Sequence, residues 1–252
     1  MLESLISIKE VNKKPYLMFF WALLISTIGI LISNELSFET GLMSVVFTVI
    51  PSVYFVTYLI KIEEKKEEEE IKKHYEKMFW KRHEKDILFL LYYFFGLTLS
   101  FAFWAFVLPD SFFDIQINTV TQIHGMIINL GLFEVILFNN LKVMLVCFIL
   151  SLLFGTGAVF IIAWNASVLG VYIGSLSKSI FHIPIVTLSF LPHGIPEICG
   201  YLCAGLAGGI LSAAIMRGHN KKILKIIFID SLKILFLGAI LILLGAGIEA
   251  CL

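Results

Sequence analysis

Apolar blocks of about twenty residues, the length an α-helix needs to cross a ~30 Å hydrocarbon layer, recur along this chain at 16–32, 41–60, 87–108, 141–165 and 226–249. In lipid every backbone N–H and C=O must find an internal partner, so such segments are helices or the strands of a closed barrel. Barrel strands would alternate polar and apolar side chains over about ten residues, and these blocks do not. Composition agrees: 59% of the 252 residues are hydrophobic and the mean hydropathy is +0.93, against the roughly 45–50% apolar share usual for a soluble domain. The fold class is therefore all-α, a polytopic integral membrane helical bundle, with its first helix retained rather than cleaved as a signal.

Net charge is zero, but its distribution orients the chain. Lys9, Lys13 and Lys14 precede the first block, nine basic and nine acidic side chains share residues 61–86, and 217–225 reads RGHNKKILK. The 33–40 and 109–125 stretches carry no Lys or Arg. Because Lys and Arg near span ends stay in the cytoplasm, the N-terminus is expected inside, the 109–125 loop outside and the C-terminus outside, in a multi-pass cell-membrane protein. The expected division is a helix pair over 1–60, a charged cytoplasmic helical segment over 61–86 and a bundle over 87–252. Glu68→Lys72 and Glu69→Lys73 have the i,i+4 orientation that supports a helix. That segment is a solvated connector or a docking surface. Its one-for-one charge balance disfavours strong binding to lipid headgroups, and a nucleic-acid partner is not expected.

Residues 141–216 are apolar but punctuated. Pro184 and the run Pro192-His193-Gly194-Ile195-Pro196 are expected to break the helix, since proline removes a donor and disfavours helical backbone before it. The resulting scheme has six spans: 141–165 runs inward, 166–191 is a kinked excursion outward, and 197–216 returns. Short interrupted segments of this kind are where transporters build binding sites. The glycines and alanine at Gly155, Gly157, Gly170, Gly174, Gly200, Ala204 and Gly208 read as helix-packing positions, most of them in small-xxx-small spacing, used within the chain or for self-association.

The polar residues in this apolar setting are Asn139, Asn140, Asn165, His193, Gly194 and Glu197. An ionised Glu at helix centre costs about 2.5–3.5 kcal/mol on insertion scales, so Glu197 should face the bundle interior. One reading has it capping the first turn of a helix that starts after Pro196, with His193 beside it. Another gives the pair a proton- or ion-linked role. Cys199 and Cys203 offer metal-ligand chemistry, but about 100° per residue turns them away from Glu197, and no metal or other cofactor is expected. Neither HExxH nor GxSxG occurs, so the chain is read as a non-enzyme with no catalytic residues. Cys147 and Cys251 also lie in or beside apolar segments, where cysteine usage says nothing of an oxidising compartment.

The stretches FNNLKVMLVCFILSLLFGTGAVFIIAWNASVLGVYIG and LPHGIPEICGYLCAGLAGGILSAAI resemble the stage II sporulation protein M family over roughly residues 125–217. Its members share an Asn-Asn pair before a span, a Gly-x-Gly within it and a Pro-His-Gly-x-x-Glu motif before a glycine-rich helix. Asn165-Ala166 stands here where the family has Asn-Gly, and Pro196 is additional. The resemblance implies a scaffold subunit of an envelope-remodelling membrane complex, with membrane or cytoplasmic proteins as partners besides the bilayer. The polar residues themselves leave open a permease-like or channel-like alternative. A hydrated cavity reaching His193 and Glu197 would favour transport; tight packing with every polar group satisfied would favour the scaffold.

Overall fold

A computed structural model of the chain describes residues 14–36, 39–72 and 79–251. The described residues form α1 (Leu17–Leu36), α2 (Thr40–Lys72), α3 (Phe79–Val107), a 3₁₀ turn (Asp110–Phe113), α4 (Asp114–Leu130), α5 (Leu132–Phe154), α6 (Ala158–Leu176), α7 (His182–Met216) and α8 (Lys221–Cys251). There is no strand among them. The protein is an all-α, multi-pass membrane bundle.

Seven of the described helices, all but α4, are long and apolar enough to cross a membrane, which corrects the count of six. The difference lies in 141–176. The break expected after Asn165 falls instead at Gly155–Gly157, so the first part of the supposed excursion, 166–176, completes a full helix, α6, and its last part, 182–191, begins α7. Gly155 ends α5 at φ +73°, a left-handed conformation that glycine adopts without a steric cost. A side chain on Gly157 would run into the Leu150 carbonyl. Ser151 satisfies both ends of this turn: its carbonyl accepts from Gly155 N–H at 2.7 Å and its Oγ from Ala158 N–H at 3.1 Å.

The break expected at Pro192–Pro196 does not occur, because α7 runs unbroken through both prolines. The physical reason is a comparison of losses. Ending a helix strands four N–H and four C=O groups, whereas each interior proline removes one hydrogen bond; in hydrocarbon the second loss is smaller. Pro184 lies in the first turn, where its missing donor has no partner to lose. Glu197 consequently stands mid-helix, with no free amides to cap. The expected loop at 109–125 is also helical, folded as the 3₁₀ turn and the first part of α4. It is tied to the start of α2 by Thr40 Oγ1 donating to Phe112 O at 2.7 Å and Gln116 Nε2 donating to Gly41 O at 2.8 Å. At the other end, α2 continues beyond the apolar block that closes at Ile60 as far as Lys72. The Glu68→Lys72 and Glu69→Lys73 pairs and the aromatic cluster at 78–80 fall outside the described side chains.

Neighbouring contacts fix the helix directions. Gly29 meets Ser44 and Thr48, so α1 and α2 form an antiparallel hairpin. Thr27 on α1 contacts Ser100 and Trp104 on α3. Gly170 and Gly174 on α6 lie against Thr98, Phe101 and Ala102 on α3, so these two helices run parallel. α7 is the central helix: 83% of its most apolar window is buried inside the protein, against 28% for α8. Its glycines admit neighbouring backbones on two sides. A methyl on Gly200 would sit 2.6 Å from Ile242 Cγ1 of α8, and one on Gly208 would strike the Phe148 carbonyl of α5. Ala204 between them is fully buried. The small-xxx-small rows thus serve close backbone approach within this chain.

Candidate functional site

Residues four apart share one face of a helix, so His193, Glu197 and Tyr201 form a single stripe on α7. The stripe faces a partly enclosed cavity of about 210 Å³. α6 contributes Asn165 and Tyr172, α8 contributes Glu249, and Val120 and Ile123 of α4 close it from another side. Asn165 lies near the middle of its 19-residue helix, which sets the cavity within the spans. Gly194 also lines it, and a Cβ there would meet nothing within 4 Å. Among the described residues no Lys or Arg lines it.

α8 reaches the site because it carries Gly245. A side chain at that position would collide with Glu197 Cγ and approach the backbone oxygen of His193 to 3.0 Å. The bare backbone lets α8 press against this turn of α7, and Glu249, one turn further on the same face, then enters the cavity. Glu249 is near enough to interact electrostatically with both Glu197 and His193.

Polar satisfaction here is incomplete. Asn165 Nδ2 donates to Ile161 O of its own helix at 2.8 Å. Asn140 stands behind the cavity wall: its Oδ1 accepts from Tyr201 Oη and, at 3.4 Å, from Asn139 Nδ2, while its side chain hydrogen-bonds the Glu197 carboxylate. Yet Glu197 Oε1 and His193 Nδ1 have no hydrogen-bond partner, although each residue is only 9% exposed. An unpaired buried polar group costs about 1–3 kcal/mol, more when charged. Both atoms lie within the packed wall behind the cavity surface, so the wall itself leaves two polar atoms unpaired.

The aromatic side chains give the cavity its other character. Tyr172 and Phe190 meet edge to face at 5.7 Å between centroids, and Phe190 and His193 do the same at 5.7 Å. Phe94 and Tyr201 complete an aromatic lining. Among the described residues no three His, Cys, Asp or Glu side chains are grouped to hold a metal ion. Cys203 packs against Gly238 of α8, and neither Cys199 nor Cys203 lines the cavity.

Of the polar residues singled out in the sequence, Asn165, His193, Gly194 and Glu197 line one cavity, Asn140 backs it, and Asn139 is a step removed. Sequence reasoning missed Tyr201, Tyr172 and Glu249. The first was findable, since 193, 197 and 201 are successive i,i+4 positions. A hint also existed for the last: Gly245-x-x-x-Glu249 sets a close-approach position one turn from an acid in an otherwise apolar helix.

Three comparisons bear on this arrangement. The family model described as stage II sporulation protein M matches residues 87–252, a span that includes every cavity residue named above. An uncharacterized protein of Methanocaldococcus jannaschii is 32% identical over 121 residues, covering 46% of this chain and 68% of that protein. No solved structure matches.

Proposed function

This chain belongs to the stage II sporulation protein M family, and from that premise we propose that it admits a small cation into an acidic cavity inside its bundle, in the manner of a permease or channel. One observation carries the reading: two carboxylate residues, Glu197 and Glu249, line one cavity inside the bundle. Carboxylates within a membrane span ordinarily pair with a cation or line an ion pathway, and among the described residues no Lys or Arg lines this cavity. The reading assigns the chain no chemical step.

The test is access and flux. Gly194→Cys has room for its side chain and should react with a small aqueous methanethiosulfonate reagent applied to purified protein. Liposomes containing the wild type should pass a small cation faster than empty liposomes, and Glu197→Gln should abolish the difference. An unreactive Gly194→Cys variant together with flux at the empty-liposome rate would sink the reading. Charge distribution supports orienting the protein with the 61–86 and 217–225 segments in the cytoplasm and 109–125 outside. Labelling of a cysteine placed at 221 from outside intact cells would reverse that orientation.

A second reading, a scaffold subunit, is favoured by a different feature. α2 extends from Ile60 to Lys72 beyond its apolar block, about 18 Å at 1.5 Å per residue, as a charged helix suited to a protein partner. Replacing 61–86 by a Gly/Ser linker of equal length should then release partners that co-purify with the intact chain in mild detergent.

A further inference from the structure

The cavity's lining distinguishes among cations. An inorganic ion exchanges its hydration shell for several oxygens at fixed distances, but the described residues offer no metal-holding group of three His, Cys, Asp or Glu side chains. Much of the wall is instead aromatic, from Phe94, Tyr172, Phe190 and Tyr201. A proton alone has no use for such a wall. A cation that carries its charge on a small apolar body uses it fully, because ring faces attract positive charge and tolerate methyl groups. The two carboxylates refine this further. Carboxylate oxygens only accept hydrogen bonds, so Glu197 and Glu249 on the cavity wall call for N–H donors, which a quaternary ammonium lacks.

Resting on the cation-cavity reading, we infer that the ligand is a protonated primary or secondary amine of a few heavy atoms. Its N–H groups donate to the carboxylates of Glu197 on α7 and Glu249 on α8, and its alkyl groups lie against the aromatic wall. The arrangement needs both halves of the lining: the carboxylates alone would serve any cation, and the rings alone would favour the quaternary form.

Calorimetric titration of the full chain in detergent with methylammonium, dimethylammonium, tetramethylammonium, ammonium and potassium chlorides, at equal ionic strength, tests the inference. Methylammonium or dimethylammonium should bind about tenfold or more tightly than the other three. Removing the charged partner with Glu197→Gln should weaken that binding by about tenfold or more. Glu249→Gln should weaken it too and serves as the readout if the Glu197 variant does not fold. Glu35→Gln, at the exposed end of α1, should change nothing. Potassium, ammonium or tetramethylammonium binding as tightly as methylammonium, with dependence on Glu197, would overturn the amine assignment while leaving the cation cavity standing. Binding of none of the five, with the Gly194→Cys variant unreactive, would remove both.

Discussion

α7 has two halves built on different terms. From Gly200 to Ser212 every residue is buried, whereas from His182 to Glu197 only Ile183, His193 and Glu197 are. Both halves are apolar and belong to one continuous helix. The later half is rich in small residues, and α5 and α8 come within backbone contact of it. The earlier half carries three prolines and Gly194, and beside it neighbouring helices leave a cavity. Close packing in lipid depends on side chains small enough to let backbones meet, so the same helix fastens the bundle with one half and opens a site with the other.

Polar groups follow the same division. Deep in the packed parts, short hydroxyls donate to carbonyls one turn back: Ser26 to Ala22 at 2.6 Å, Thr48 to Ser44 at 2.7 Å, Ser52 to Thr48 at 2.8 Å. Such bonds are local and need no tertiary partner. Not every buried group in these parts is paired. Trp21 Nε1 is orphaned as well, but it is 1% exposed and its ring is tilted 53° against Phe55 with centroids 4.8 Å apart. What sets His193 and Glu197 apart is that their residues line a cavity.

The contrast can be broken most forcefully in the packed half. Gly208→Leu must push α5 away at the Phe148 carbonyl; it should destabilise by about 3 kcal/mol or prevent assembly, read as loss of a monodisperse peak and of the melting transition. A normally melting Gly208→Leu would mean α7 is not the fastening helix. In the open half, Glu197→Gln keeps a hydrogen-bonding amide beside Asn140 and should fold. Its cation binding should nonetheless fall by about tenfold or more, a separation of stability from binding that a purely structural Glu197 would not produce.

Tyr201→Phe probes the boundary between the halves. It removes the donor to Asn140 Oδ1 and should cost about 1 kcal/mol, a modest fall in melting temperature; an unchanged melt would mean that water replaces the phenol without loss. The smallest effect belongs to Gly194→Ala, whose Cβ meets nothing within 4 Å. Exchanging glycine for alanine inside a helix should stabilise by about 0.5–1 kcal/mol. A destabilised Gly194→Ala would show that the space beside residue 194 is filled in the working protein.

The apolar blocks, their helical state and the membrane as solvent were legible in the sequence, because hydrocarbon forces every backbone group to pair within its own segment, a local requirement that length and composition express. The Pro-His-Gly-x-x-Glu stretch was legible as the unusual part of the chain for the same reason: charged and helix-disfavouring residues stand out there. Where helices begin and end was not. Pro192 and Pro196 read as a break by local propensity, yet breaking there would strand more backbone groups than the prolines do. Gly155-Thr156-Gly157 read as the inside of a span, since a tight turn closed by Ser151 needs no polar sequence around it. The cavity was the least legible feature, because it is a relation between helices. Glu249 meets Glu197 only because Gly245 lets α8 lie against α7, and the space at Gly194 exists only because α4, α6 and α8 stop short of it. The sequence determined by itself that long stretches of this chain are stable as helices in lipid, since that depends on each segment's own atoms; tertiary packing alone decided where one helix gives way to the next, which polar groups among them meet and which side chains line the cavity.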